Sequence, residues 1–542
     1  MGRNRGVVVI VLILMSLSLA AQDRYMVFFS DKDQVPYSVD QPEDFLSERS
    51  IARRLKMDIA ITDQDLPVDE SYVAQVAAKG AEVYFRSKWF NAVLTQMSGG
   101  IVSAVGNLPF VDSVVYVAKD IKLATGGEEN YTVPEAFLDL EGQGSSTLTQ
   151  LSMLGVDQMH EDGFRGENML IAVFDSGFPG INEYKPFEHI FNENRLVGTR
   201  DFVKNSGNVF QYHSHGASVF SCIGASQGED IQGTAPNASF VLCVTEDVSN
   251  EYRIEEYNWL FAAEFADSIG VDVINSSLGY STFSDAEMNY SYADLDGKTT
   301  IISRVAKIAS DKGMVVVVSA GNEGSSNWKY ITGPADVEEV LTVGSVNSTY
   351  QKARHSSYGP TADGRIKPDV MAMGGSTAIF RSGEYTEGGG TSYASPQMAG
   401  FAAGIWQAHP DWSNQDVIEA IKMSGSNVLA PDTAVGFGVP NYYVAVNGAT
   451  IAAADVFQDK LKVYPNPFAE GRINLDFGNV TLKGEVEILI RDVNGKKLYS
   501  QKYNGRELPN QLEIEINPIG NGVYFLMLQT RKFKKTVKLI KI

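Results

Sequence analysis

Three rhythms of apolar and polar positions divide the chain. From Tyr25 to Val117, short apolar runs (Tyr25 to Phe29, Val83 to Arg86, Ala92 to Gln96, Ser113 to Val117) are interleaved with helix-period stretches (Phe45 to Leu55, Tyr72 to Ala78, Ile101 to Leu108), which predicts a small α+β domain. From Met169 the rhythm becomes strand then helix, repeated. The runs Leu170 to Phe174, Ser239 to Val244, Val271 to Asn275 and Met314 to Ser319 are almost wholly apolar, as strands of a parallel sheet covered on both faces must be. Helical stretches near Gly216 to Ala225, Glu255 to Ser268 and Thr300 to Lys312 fall between them, so this part reads as a doubly wound α/β domain with its site at the carboxyl ends of strands. After Val456 the pattern alternates with period two, as in Leu512-Glu513-Ile514-Glu515-Ile516, and Asp492-Val493-Asn494-Gly495 is a hairpin signal. That predicts a small all-β, sandwich-like module. The expected divisions are 1–21, 22–120, a Gly-rich exposed linker over 121–150, 151–450 and 456–542.

The first division is a leader, because Arg3 and Arg5 precede an apolar run from Val7 to Met15 that continues through Leu17 and Leu19 and exits at Ala20-Ala21-Gln22. About 13 apolar residues fall short of the roughly 20 that span a bilayer. An exported protein is therefore expected. At 542 residues and 44% hydrophobic content the chain can bury several cores. Its net charge of −21 is unevenly spread: residues 456–542 hold 15 Lys+Arg against 9 Asp+Glu, so all the net negative charge belongs to the residues before them. An acidic body argues against nucleic acid as a partner. Cys222 and Cys243 are the only cysteines, and either one disulfide or two buried thiols fits an exported chain. Neither sits in a zinc-like spacing.

Candidate chemistry gathers at four short stretches. In Gly390-Thr391-Ser392-Tyr393-Ala394-Ser395-Pro396 a hydroxyl lies between small residues ahead of the helical run Gln397 to Ala408. A Pro in the first turn needs no N–H partner, so Ser392 is expected just before a helix N-terminus, and Gly400, Ala402, Ala403 and Gly404 would let that helix pack closely. A serine nucleophile needs a base and a group that orients the base. Among six histidines, His213 and His215 occupy a loop entering a small-residue helix, and Asp175 ends the strand Ile171-Ala172-Val173-Phe174-Asp175. Asn322, in Ala320-Gly321-Asn322-Glu323-Gly324, can offer a side-chain N–H to an oxyanion. Each residue alone is also an ordinary cap, turn or packing residue. No G-x-S-x-G elbow surrounds Ser392, since Ala394 stands two places on, which argues against an esterase.

Taken together, VFDSGF, HGASVFSCIGA, SAGNEG and GTSYASPQMAG resemble the aspartate, histidine, oxyanion and nucleophile motifs of the subtilisin-like (subtilase) serine proteases, in that family's order, over about Leu151 to Ala445. The resemblance implies a triad of Asp175, His215 and Ser392 with Asn322 in the oxyanion hole. It also implies a substrate edge strand at Ser277, Leu278 and Gly279, a facing pocket wall at Ser319, Ala320 and Gly321, and a cis-proline turn at Gly333-Pro334-Ala335. Ser218 departs from the second histidine that many members carry. Residues 22–120 resemble a subtilase propeptide, which helps the protease fold and then blocks its cleft. The end of the chain, with Val463-Tyr464-Pro465-Asn466-Pro467-Phe468 and Gly520 to Leu526 before a Lys-rich terminus, resembles the sorting domain of the type IX secretion system of Bacteroidetes-type bacteria. A carbohydrate- or protein-binding β-module is the other reading of that domain. The expected function is a secreted or cell-surface serine endopeptidase acting on proteins or peptides and meeting the type IX machinery through its tail. A catalytically silent scaffold is the alternative. No cofactor is expected to be required; structural calcium is common in the family, but Asp294-Leu295-Asp296-Gly297 is too short for a dedicated loop.

Overall fold

A computed structural model describes residues 22–119, 131–140, 145–447 and most of 462–542, where 478–484, 493–495, 505–507, 510, 517–519 and 531–533 are left out. The leader, most of the linker and the Asn494-Gly495 turn lie outside the described residues. At the N-terminus, strands Asp23–Phe29, Glu82–Ser87, Ala92–Met97 and Val111–Ala118 form an antiparallel sheet carrying helices Glu48–Lys56, Glu70–Ala78 and Gly99–Gly106. This is the α+β arrangement that its pattern predicts.

The central domain is a seven-stranded parallel sheet in the order Val370–Met373, Leu341–Val346, Val315–Ser319, Val273–Ser276, Leu170–Asp175, Ser239–Val244, Leu196–Asp201. Alternate side chains feed two cores. Ile171, Val173, Leu242, Val315 and Val317 pack with helices His215–Gly224 and Thr391–Ala408. Leu170, Ala172, Val241, Val316 and Val318 pack on the other face with helices Ile254–Ile269 and Ile301–Asp311. Each buried Val or Leu contributes about 1.5–3 kcal/mol relative to exposure, which is why strands this apolar lie inside the sheet. Leu170–Asp175 comes first in the chain and lies inside the sheet: Leu196–Asp201 and Ser239–Val244 are on one side of it, and from Val273–Ser276 onward the strands are added on the other, so Asp175 stands at the switch point where α/β sheets open a crevice.

Cys222 belongs to one core and Cys243 to the other, so the sheet separates them and both are free thiols. Burial pushes Cys222 up to about 12, far from reactive thiolate. Residues 145–150, read above as linker, are docked: Thr147 and Gln150 are buried and Gln150 exchanges hydrogen bonds with the backbone of Ala378. At the C-terminus two antiparallel sheets share one core built on Phe468, Ile473, Ile488, Ile514 and Leu526, the expected sandwich.

The N-terminal domain docks on helix Ile254–Ile269 through charge as well as apolar area. Asp267, 0% exposed, accepts from Arg53 at 2.6 Å and Arg54 at 2.9 Å and meets Lys88 at 3.2 Å. Arg54 also pairs with Asp65, which Lys312 of the central domain reaches at 2.9 Å. Burial opposes ionisation of Asp267, but the charges of Lys88, Arg54 and Arg53 hold it down to about 2. A carboxylate depressed in this way stabilises docking above its unfolded range near 3.8 and loses that contribution as pH falls toward 2. Replacing Asp267 by Ala takes this carboxylate from Arg53, Lys88 and Arg54, and of the three Arg54 keeps its pair with Asp65. The expected cost is about 3–5 kcal/mol, read from urea unfolding of the full chain; a change below about 1 kcal/mol contradicts this account.

Candidate active site

Asp175 ends its strand with a fully buried carboxylate. Its Oδ1 accepts from the N–H of Ser176 at 2.7 Å and from the Ser176 hydroxyl at 3.1 Å. His215 is the first residue of helix His215–Gly224, and its Nδ1 lies 2.8 Å and 3.0 Å from the two Asp175 oxygens. Two glycines make that approach possible. A Cβ on Gly216 would stand 2.3 Å from the carbonyl of Gly177 and 2.9 Å from Asp175 Cβ. Gly177 has φ +134°, and a Cβ there would sit 2.2 Å from the carbonyl of Gln211. Burial of His215 opposes its charged form, yet the charge and hydrogen bond of Asp175 prevail and raise it above the usual 6.5.

Ser392 is the second residue of helix Thr391–Ala408. Pro396 therefore lies inside the helix rather than in its first turn, a correction to the expected boundary. Proline has no N–H for the carbonyl four residues back, which is that of Ser392. The Ser277 hydroxyl takes the missing donor's place, reaching the Ser392 carbonyl at 2.8 Å. Ser277 is oriented in turn by Asn275 at 3.2 Å, and Asn275 accepts from Ser395 at 2.8 Å. Gly400 and Gly404 do serve close packing: a Cβ would meet Thr234 Oγ1 at 2.0 Å and Met159 Sδ at 2.3 Å. The Ser392 hydroxyl donates to the Ser277 carbonyl at 3.4 Å, and among the described residues no hydrogen bond joins it to His215.

Asn322 follows strand Val315–Ser319 on an exposed loop. Its Oδ1 accepts from the N–H of Thr391 at 2.9 Å and the Thr391 hydroxyl at 3.1 Å, which ties it to the residue before Ser392 and leaves its N–H donors without a hydrogen-bond partner among the described residues. The segments Ser277-Leu278-Gly279 and Ser319-Ala320-Gly321 leave adjacent parallel strands side by side. The Ser277 side chain is buried against the Ser392 helix. Leu278 is half-buried and Gly279 exposed, while Ser319 and Ala320 are buried. Sequence reading misses Thr332: its hydroxyl would be 2.1 Å from a Cβ on Gly279 and 3.2 Å from one on Gly321, and it is buried with no hydrogen-bond partner among the described residues. Only its position beside the Gly333–Pro334 turn, which is cis, hinted at it. His160, His189, His355 and His409 bond to main chain or to Ser345 elsewhere. Asp294 and Asp296 cap local turns, receiving N–H groups of Ser291, Lys298 and Thr299.

Comparison with known proteins assigns the chain to a family. The subtilase family pattern matches residues 166–438. Subtilisin NAT of Bacillus subtilis subsp. natto is 31% identical over 375 residues, 68% of this chain and 84% of its own. The chain belongs to the subtilase family. A subtilisin of Bacillus pumilus is 32% identical over 300 residues, 54% of this chain and 97% of its own. The subtilase domain is flanked by a peptidase S8 propeptide domain of the Bacteroidota type at 24–132 and a secretion system C-terminal sorting domain at 462–542. The protein is a serine endopeptidase made with a propeptide and secreted by the type IX route. Because the Asp175 and His215 contact depends on a missing Cβ, Gly216→Ala is expected to lower kcat/KM of the folded variant at least about a hundredfold, the cost of an ångström of misplacement. An unchanged kcat/KM contradicts the close-approach argument.

Proposed function

We propose that this subtilase cleaves peptide bonds with Ser392 as nucleophile, His215 as general base and acid, Asp175 as the group that orients the imidazole, and Asn322 as an oxyanion donor. One observation carries the reading: the 2.8 Å and 3.0 Å approach of His215 Nδ1 to Asp175, at the sheet edge where the Ser392 helix begins. A carboxylate on Nδ1 keeps the proton there and leaves the Nε2 lone pair free. The Ser392 hydroxyl leaves the Ser277 carbonyl by a χ1 step, gives its proton to Nε2 and bonds the scissile carbon. Asn322 and the backbone N–H of Ser392 receive the resulting oxyanion. His215 then protonates the leaving amine as the C–N bond breaks. Water repeats the sequence on the acyl-enzyme and releases Ser392.

Substrate would lie along Leu278 and Gly279, its side chain entering between that segment and Ala320-Gly321, with Thr332 at the base. Residues 24–132 would keep the cleft closed until cut, and the type IX machinery would recognise residues 462–542 and trim them.

Mass spectrometry of secreted protein tests the nucleophile. Ser392→Ala is expected to retain residues 22 to about 120 that the wild type loses; in the absence of any other maturing protease, equal trimming contradicts the role. Asn322→Ala is expected to lower kcat by about 10²–10³ with KM little changed, a magnitude taken from this family. Since His215 is raised and must be neutral to act, kcat/KM is expected to climb with pH along a limb centred above 6.5. The same shift adds stability below 6.5 that is lost as pH rises through the folded value. A limb centred below 6.5 contradicts the pairing.

A further inference from the structure

The loop after strand Ser239–Val244 carries Glu246 and Glu251, and the following helix presents Glu255 in its first turn. One carboxylate oxygen of each lies within 4.8 Å of the other two. Glu255 is 2% exposed; one of its oxygens accepts from the N–H of Asp247 at 2.8 Å, while the other is buried with no hydrogen-bond partner among the described residues. A buried carboxylate oxygen without a donor is costly, and two more carboxylates facing it raise that cost. Burial first lifts both Glu246 and Glu255 above the carboxylate range; the charges of Glu246 and Glu251 add to it for Glu255, and for Glu246 the Tyr280 hydrogen bond opposes it while the charge of Glu251 adds to it. Neighbouring cations do not relieve them. Arg253 is committed to the carbonyl of Met288 and the ring of Tyr290, Lys204 approaches Asp247, and none of the three glutamates has an ion pair among the described residues.

We propose that Glu246, Glu251 and Glu255 bind a calcium ion. Three carboxylates without His or Cys select a hard cation, and oxygens within 4.8 Å of one another can share an ion at the ~2.3–2.6 Å of calcium, with main-chain carbonyls and water completing six to eight ligands. The buried oxygen of Glu255 then gains the partner that the protein does not supply. Tyr280 donates a short hydrogen bond to Glu246, so the ion has an outer support from the residue after Gly279. The same loop starts at Thr245, whose N–H bonds the carbonyl of Asp175 at 2.9 Å. Calcium here ties the backbone behind Asp175 to the segment along which substrate would lie. The site itself is independent of the catalytic roles proposed above; only this consequence rests on them.

The test uses the full chain carrying Ser392→Ala to limit self-cleavage, stripped with chelator and titrated with calcium chloride by calorimetry and thermal unfolding. One ion per chain is expected at this site, with a Kd of about 0.1–1 mM as in other extracellular modules, and a Tm that rises by several degrees on saturation. Glu255→Gln and Glu251→Gln are each expected to weaken that binding at least ~10-fold and to abolish the Tm rise. Glu251 is exposed, so its variant folds and decides the matter should Glu255→Gln not fold. No saturable binding up to about 10 mM, an order above that range, overturns the proposal, as does full binding in a folded variant. Neither readout involves peptide hydrolysis, so its failure is distinct from failure of the triad.

Discussion

The contact between Asp175 and His215 sets the terms for everything around it. A carboxylate with no exposure is tolerated only where donors surround it, and Ser176 and His215 supply them. To deliver the imidazole, a helix must begin almost on top of the strand end, where main chain meets main chain. Gly177 and Gly216 remove the side chains that would prevent it. The glycines are thus conditions for the electrostatics.

A second constraint concerns the helix that carries Ser392. Its interior proline strips a donor from the Ser392 carbonyl, and helices do not tolerate that without replacement. Ser277 provides the replacement from a neighbouring strand end, and Asn275 and Ser395 hold it in place. The position of Ser392 is therefore fixed from across the sheet as well as by its own helix. That arrangement joins the segment along which substrate would run to the residue that would attack it.

Much of this was legible in the chain. Leu170 to Phe174, Ser239 to Val244 and Met314 to Ser319 stand out because fully buried parallel strands are continuously apolar, and Asp175, His215, Asn322 and Ser392 stand out because each occupies a strand end or helix start among small residues. What escaped did so for physical reasons. Leu196–Asp201 lies at the sheet edge and is only partly buried, so Gly198, Thr199 and Arg200 blur its pattern. Val370–Met373 is four residues long. Pro396 read as a helix start because proline usually marks one; only Ser277, just past the end of strand Val273–Ser276, explains why it sits deeper. Thr332 meets Gly279 and Gly321 through tertiary folding alone, which no local rhythm records.

The propeptide, the protease and the sorting domain each bury their own core, and the first is bound to the second through Asp267 and its cations. Separating the first from the second therefore means breaking that charged, buried seam together with the apolar contacts of Phe85 and Trp89. The central claim remains that Asp175, His215 and Ser392 act as one unit, and labelling with a fluorophosphonate addresses it most directly. Peptide mapping of matured protein should find one adduct, on Ser392, forming orders of magnitude more slowly in His215→Ala and Asp175→Asn. An adduct elsewhere, or a rate indifferent to both substitutions, would contradict the account.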